Sequence, residues 1–294
     1  MRIDLHTHSR ASDGTQAPAE LVYAAAEAGL DVVALTDHDT ADGWAEAAQA
    51  AVAAGISLVR GMEISTRHTE GRGVHLLAYL PDPTYPPLVR ELARIIDGRD
   101  ARVPVMLQKL QECGIQIDAA DVRRVAGATT ATGRPHVADA LVALGAVRDR
   151  DEAFAKYLSA GRPAYVDRYA TPLAEMVEIV AGAGGVSVVA HPWGRHERTT
   201  LEESAFAELA DRGLAGIEVD HQDHGEEERR DLRAIARNLG LVATGSSDHH
   251  GVGKVGHELG CNTTHPDEFA RLIDLAHASA ARSGLSAPTL VNGS

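Results

Sequence analysis

A chain of 294 residues with 44% hydrophobic and 24% charged side chains has apolar material for a sizeable core and none of the bias of a disordered or fibrous protein. Its 42 acidic and 28 basic residues leave a formal charge of −14, which argues against broad capture of duplex nucleic acid or an anionic membrane. Two cysteines, Cys113 and Cys261, far apart and without C-x-x-C spacing, argue against a disulfide framework and a thiolate zinc site.

In chain order, RIDL reads as a short strand, PAELVYAAAEAG as a helix, DVVALT as a strand, ADGWAEAAQAAVAAG as a helix, and ISLVRGMEI and GVHLLAY as strands. The short runs are rich in β-branched residues, the longer ones carry apolar residues at helical spacing, and Gly29 and Gly55 stand where helices stop. From about residue 84 to 170 the text is helical, with no strand runs, as expected of an inserted helical subdomain. After TPLAEMVEIVAGAG the alternation resumes with the strands GVSVVAH, LAGIEVDH and LVATGSSDHH between the helices LEESAFAELADRG, EEERRDLRAIARNLG and PDEFARLIDLAHASAAR. Residues 285–294 are expected to be a loose tail.

Strand candidates near residues 3, 33, 60, 76, 188, 217 and 243 number seven. Strand–helix repetition of this kind predicts an α/β fold with a parallel sheet, open or closed as a barrel, built from residues 1–83 and 171–284 around the insertion at 84–170. The N-terminus has no long apolar h-region and no window reaches the roughly 18 apolar residues of a spanning helix, so a cytoplasmic location is expected.

The unusual residues cluster at the C-terminal ends of these strands. His6 and His8 follow the first, Asp37 and His38 the second, Glu63 the third, His191 the fifth, Asp220 and His221 the sixth, and Asp248 and His250 the seventh; His75 lies early in the fourth. Such ends and the loops after them form the active face of parallel α/β folds. Imidazoles with carboxylates and no thiolate suit a divalent metal, and His6 and His8, two apart on an extended backbone, point to one side and can share an ion. Taken singly each histidine is an ordinary residue; their joint placement is what points to a site.

HTHSRASDG, LTDHDT, GMEIS, HLLAY, AHPWG and GSSDHHG, in that order, resemble the motifs of the polymerase and histidinol phosphatase (PHP) superfamily of metal-dependent phosphoesterases, over essentially the whole chain. TGRPHVA and the insertion around it are similar to the bacterial branch that removes phosphate from nucleotides such as 3′,5′-bisphosphates and trims short RNA 5′ ends. The resemblance implies a distorted seven-stranded (β/α)7 barrel holding two or three divalent ions, with Mn, Zn and Fe all compatible with nitrogen and oxygen ligands. It assigns His6, His8, Glu63 and Asp248 to a first ion, lets Glu63 bridge to a second completed by His75 and His191, and gives a third Asp13, His38 and His250. A water held by ions at Glu63, Asp248 and His191 would attack phosphorus, since metals less than about 4 Å apart can clamp a phosphate and acidify a shared water. Arg134 and His136 match the family's substrate-phosphate contacts; a guanidinium suits bidentate phosphate recognition, and Pro135 favours a helix start.

One of Asp37 and Asp39 is expected to orient a ligand imidazole, with capping the other reading of Asp39. His221 is a candidate for substrate contact or proton transfer, and Arg195 for a second phosphate. His224 is expected in a solvated loop, His249 to point away from the site, and His68, His196, His257, His265 and His277 to be ordinary. The expected function is hydrolysis of nucleotide phosphomonoesters and of short RNA 5′ ends, with no stable duplex binding and no membrane partner. Histidinol-phosphate phosphatase and a metal- or ligand-binding module without turnover are the alternatives. No G-x-S-x-G, P-loop or G-x-G-x-x-G follows a strand.

Overall fold

The computed structural model describes residues 1–68, 73–127, 129, 132–194, 201–286 and 288–292. Its strands are β1 (Ile3–Asp4), β2 (Val32–Leu35), β3 (Ser57–Arg67), β4 (Gly73–Tyr79), β5 (Thr171–Pro172), β6 (Val186–Val189), β7 (Leu214–Asp220) and β8 (Val242–Gly245). Around them run α1 (Pro18–Glu27), α2 (Trp44–Ala54), α7 (Leu173–Gly182), α8 (Glu203–Asp211), α9 (Glu226–Asn238) and α10 (Pro266–Arg282). The insertion is helical as expected: α3 (Pro86–Glu112), α4 (Ala119–Ala126), α5 (Arg134–Ala143) and α6 (Arg150–Ala153), the last continuing into a π-helical turn at Phe154–Leu158.

Neighbouring strands follow the order β1-β2-β3-β4-β6-β7-β8, the seven of the sequence pattern, with the two-residue β5 added beside the end of β3. The sheet curls into a nearly closed barrel. Its seam is sealed by a side chain: the Asp4 carboxylate accepts the backbone N–H groups of Ser247 at 3.0 Å and Gly260 at 2.9 Å. Beyond the strands, the His8 N–H donates to His249 O at 2.8 Å.

The expectation of a wholly parallel sheet needs one correction. β4 runs antiparallel to both β3 and β6, because the few residues between Arg67 and Gly73 cannot make the crossover that a parallel neighbour requires. The start of β4 therefore lies at the same barrel end as the finish of the other strands. This reversal carries His75, opposite Ser65 in the ladder, to the active rim.

Apolar residues divide into three cores. Ile3, Val32, Val59, Leu77 and Val188 fill the barrel interior and meet Phe269 and Leu272 of α10, which plugs the end away from the histidines. A second core lies between the sheet and its surrounding helices. A third, around Met106, Leu110, Val137 and Leu141, belongs to the insertion. Helix α3 serves two of them: Leu88 and Ile95 pack with the barrel layer, while Val103 to Leu110 pack in the insertion. The tail is partly tied down rather than loose, since Leu58 and Val291 exchange both backbone hydrogen bonds. Among the described residues no helix is long and apolar enough to cross a membrane.

Gly216 in β7 has no room for a side chain, because a Cβ there would lie 2.6 Å from Val242 O and 3.2 Å from Val188 Cγ2. Gly216→Ala must push β7 from β8, and thermal unfolding followed by circular dichroism is expected to show a loss of about 1–3 kcal/mol.

Candidate metal centre

Each strand delivers its polar residue to the barrel mouth by simple alternation. At the end of β1, Thr7 turns outward to the neighbouring strand, its Oγ1 donating to Ala34 O at 2.6 Å, so His6 and His8 face inward and are fully buried. The turn that follows is held by Asp37, which accepts the Ser9 N–H at 2.7 Å and the hydroxyls of Ser9 and Ser12 at 2.6 Å each. That turn presents Asp13. Glu63 comes from the middle of β3, His75 from the reversed β4, His191 from the end of β6, and Asp248 and His250 from the segment after β8.

Glu63 is the geometric hub. Its Oε2 lies 3.3 Å from His6 Nε2, 3.1 Å from His8 Nε2 and 3.2 Å from His38 Nδ1, while its Oε1 lies 2.7 Å from His75 Nδ1 and 3.1 Å from His191 Nε2. Asp248 Oδ1 completes one group at 3.5 Å from His6 and 3.4 Å from His8. Asp13 gathers another, with His250 Nε2 at 3.4 Å and His38 Nε2 at 3.7 Å. Ligand atoms of His6, His8, Glu63 and Asp248 lie within 4.8 Å of one another, as do those of His8, Asp13, His38 and His250, and those of His38, Glu63 and His75.

The tautomers fit a cation. His6 Nδ1 donates to Glu218 Oε1 at 3.0 Å, and His8 Nδ1 faces Ser12 Oγ at 3.5 Å, whose own proton is given to Asp37. Were both rings neutral, their Nε2 lone pairs would face each other across 3.0 Å, an arrangement that repels unless positive charge, a proton or a metal ion, lies between them. His75 Nδ1 is buried without a hydrogen bond although Glu63 Oε1 is close, as befits two donors converging on a third point. Nitrogen and oxygen donors in this arrangement suit divalent ions.

Charge is balanced locally. Burial alone would raise the carboxyls of Glu63, Asp13 and Asp248, but the imidazoles around each, with Lys254 beside Asp248, hold all three well below the usual carboxylate range. Burial pushes His38 down to about 3, with the Arg99 charge adding to it, and His250 to about 4. Against the same burial penalty, hydrogen bonds to Asp248 and Glu63 lift His8 to about 9. Protons on His8 thus play the part of a cation among the carboxylates, and metal uptake has to displace them.

Backbone strain concentrates here. Asp39, His191 and Asp248 have φ of +56°, +27° and +53°, conformations that side chains other than glycine rarely adopt. Asp39 is held by three partners, accepting from the Ser65 N–H at 2.7 Å, Ser65 Oγ at 2.9 Å and Arg99 Nε at 2.7 Å. Asp37, one of the two carboxylates expected to orient a ligand imidazole, stands behind His8 through Ser12, whose hydroxyl donates to Asp37 and faces His8 Nδ1.

The orienting carboxylate is Glu218, which sequence reasoning passed over. It is fully buried in β7, accepts from His6 Nδ1 and Ser246 Oγ, and takes the His191 N–H at 2.8 Å. Its signal was an acid between Ile217 and Val219 in an otherwise apolar strand. A bulge directly after it turns Asp220 outward to Arg233 of α9, at 2.6 and 2.7 Å. His221 instead turns inward. Its Nδ1 accepts the Asp223 N–H at 3.1 Å, so Nε2 carries the proton and donates to Asp248 Oδ2 at 3.2 Å.

Several other placements differ from expectation. His224 is buried, not solvated, with Nδ1 donating to Val219 O at 2.9 Å and Nε2 accepting the Trp193 N–H at 3.3 Å. His257 is buried beside His221 and Asp248, with Nδ1 donating to Ser247 O at 2.7 Å, and Lys254 contacts Asp248. His136 has both nitrogens engaged: Nδ1 accepts the Gly133 N–H at 3.1 Å and Nε2 donates to Ser12 O at 3.0 Å. It ties the insertion to the Asp13 turn and has no donor left for a phosphate. Arg134 stands half-buried at the start of α5, 5.7 Å from the Phe154 and Tyr165 rings. His249 points away, to His257 O and Gln16. Arg195 and His196 lie outside the described residues.

A (β/α)7 barrel with buried His/Asp/Glu clusters at its mouth defines the class of metal-dependent phosphoesterases, hydrolases acting on phosphoric esters. A family model described as the PHP domain matches residues 4–117. A 3′,5′-nucleoside bisphosphate phosphatase of Chromobacterium violaceum is 38% identical over 262 residues, covering 88% of this chain and 90% of that one. A 5′-3′ exoribonuclease of Haemophilus influenzae is 34% identical over 249 residues, covering 85% and 90%. The crystal structure of a candidate metal-dependent phosphoesterase from Bifidobacterium adolescentis superposes with a TM-score of 0.88 at 37% identity, covering 93% of this chain and 96% of that one. The chain belongs to the PHP family.

Glu218→Gln replaces an acceptor for His6 Nδ1–H by an amide that cannot accept from all three donors. Metal affinity, measured by competition with a chelating dye, is expected to fall about 10–100-fold while the circular dichroism spectrum is retained.

Proposed function

We propose that the chain hydrolyses nucleotide phosphomonoesters, nucleoside 3′,5′-bisphosphates among them, and acts on short RNA 5′ ends, using two or three divalent ions of Mn, Zn or Fe. The observation that carries the reading is Glu63, whose two oxygens face two separate groups of imidazoles, the arrangement of a bridging ligand. His6, His8, Glu63 and Asp248 would hold one ion; Glu63, His75 and His191 would hold a second; Asp13, His38 and His250 would hold a third. The names of the similar proteins from Chromobacterium violaceum and Haemophilus influenzae support the nucleotide class of substrate. Cys113 and Cys261 are exposed free thiols, which suits action in the cytoplasm.

Ions held there would supply Lewis acidity toward the phosphate and lower the pKa of a bound water. The protein groups do the rest. Glu63, Asp248 and His191 would hold the ions that carry the attacking water, Glu218 fixes the face that His6 presents, and the His221 proton holds Asp248 Oδ2 so that Oδ1 faces His6 and His8. The barrel, residues 1–83 and 171–284, carries the chemistry; the insertion at 84–170 brings Arg134 to the substrate phosphate and sets His136 as the strut that positions it.

Phosphate release by Mn-loaded protein is to be measured with adenosine 3′,5′-bisphosphate, 5′-AMP, a short 5′-phosphorylated RNA and histidinol phosphate. Chelator-sensitive release from the bisphosphate or the RNA is expected; release from histidinol phosphate alone, or from none, overturns the reading. Asp248→Ala is expected to lower turnover about a thousandfold with the fold retained, more than the loss from an outer-shell partner. Arg134→Ala is expected to raise KM by roughly 10–100-fold without loss of metal, the scale of a charged hydrogen bond.

A further inference from the structure

Two histidines that the three ion groups leave unused, His221 and His257, gather on the Oδ2 side of Asp248. The three residues are buried and bring ligand atoms within 4.8 Å of one another, which is the composition of one more metal site. The tautomer excludes it. His221 Nδ1 accepts the Asp223 N–H at 3.1 Å, so its Nε2 carries a hydrogen and has no lone pair for an ion. The cation of this group belongs to the chain itself: Lys254 Nζ donates to Asp248 Oδ2, beside the His221 donor 3.2 Å from the same oxygen. Among the described residues Lys254 is the one lysine or arginine paired with a carboxylate of the centre, since Asp13 and Glu63 pair with imidazoles alone.

Holding Asp248 in place does not require this lysine. Oδ1 faces His6 and His8 at 3.5 and 3.4 Å, and Oδ2 already accepts from His221. Nor is Lys254 set as the lysine of a core ion pair is. It stands in GVGKVG, residues 251–256, where Gly251 and Gly256 take φ of +66° and +79°. Val252 and Val255 on either side of it are 91% and 93% exposed, the most exposed of the large apolar side chains described. The base of the segment is fixed, the Val252 N–H donating to Thr15 Oγ1 at 3.0 Å and the Thr15 N–H to His250 O at 3.1 Å. Beyond that base neither valine packs on the barrel, and the side chain that turns inward is Lys254. A compact ammonium on a flexible four-carbon stem, carried by a segment with so little packing of its own, can adjust to a second partner.

Its place is informative. Asp248 stands between the imidazoles of one ion group on Oδ1 and the ammonium on Oδ2. An ammonium has three donors and Asp248 takes one, while the Lys254 side chain keeps 15% of its surface open. A phosphate drawn to that group carries more acceptor oxygens than ions alone satisfy, and a charged donor one carboxylate away is suited to take one of them. We propose that Lys254 donates to an oxygen of the phosphate being hydrolysed, so that the segment after β8, and not the insertion alone, supplies a cation to the substrate. The inference rests on the phosphoesterase reading above for the presence of that phosphate.

Inorganic phosphate is the probe. Its affinity for the Mn-loaded protein is compared by isothermal titration between wild type, Lys254→Met and Lys254→Gln, with Mn affinity measured on the same samples and kcat and KM for adenosine 3′,5′-bisphosphate alongside. Phosphate affinity is expected to fall about 10–100-fold in both variants, the scale of a charged hydrogen bond, and kcat/KM with it. Mn is expected to bind at least as tightly as in wild type, because the charge removed repels an ion beside Asp248. Unchanged phosphate affinity overturns the inference, and so does a fall in Mn affinity, the result of a lysine that only props Asp248. Should wild type hydrolyse no phosphoester, the hydrolytic reading fails, and phosphate binding still decides the contact: phosphate bound by wild type and lost in the variants upholds it, and phosphate bound alike by all three, or by none, rejects it.

Discussion

The constraint on which the rest of the molecule depends is the burial of Asp13, Glu63 and Asp248 at one end of a barrel. Three carboxylates withdrawn from water within a few ångströms of one another are tolerable only if positive charge lies among them. The surrounding imidazoles answer that demand with protons, and their nitrogens suit a divalent ion. Much that looks unrelated follows from it. Glu218 lies inside an apolar strand to set the His6 tautomer, and Asp39, His191 and Asp248 sit in strained backbone that their side-chain partners over-determine. Short strands suffice for β1 and β8 because Asp4 closes the seam between them.

Charge is also segregated between the two bodies. The barrel mouth supplies acids and imidazoles, the insertion supplies guanidinium groups, and specific contacts hold them in register. Arg99 of α3 meets Asp39 next to His38, and Arg150 of α6 grips Asp139 while donating to Asp13 O at 3.2 Å. His136 adds a third strut to the same turn through Ser12 O. These contacts tie the insertion to Asp13 and to the His38 segment.

Much of this was legible in the residue order. Short β-branched runs marked all seven barrel strands, because a buried strand needs no more than a few apolar residues with turn signals beside them. His6 and His8 could be assigned to one side because side chains alternate along an extended chain, and the separate motifs bearing Asp13, His38, Glu63, His191, Asp248 and His250 converge because strand ends in this fold share one rim. His75 was the exception by position. Its place early in a strand fits the rim only once β4 is seen to run backwards, a consequence of a connection too short to cross over.

Where the reading failed, the missing information was register and partner. A single bulge in β7 decides that Glu218 and His221 face inward while Asp220 faces Arg233, and nothing in LAGIEVDH marks it. His224 and His257 read as ordinary because a loop histidine shows neither its burial nor the carbonyl that will take its proton. The two ring nitrogens of His136 are engaged by residues 3 and 124 positions away, and the Arg102 Nε, buried without a partner, lies among charges brought together from α3, α5 and the approach to β5. Sequence by itself determined the element types, the ligand chemistry and the rim on which it gathers, since these depend on local periodicity and residue type. Tertiary structure alone decided strand direction, ring tautomers and which charges stand unanswered, because each is set by contacts between segments that are remote along the chain.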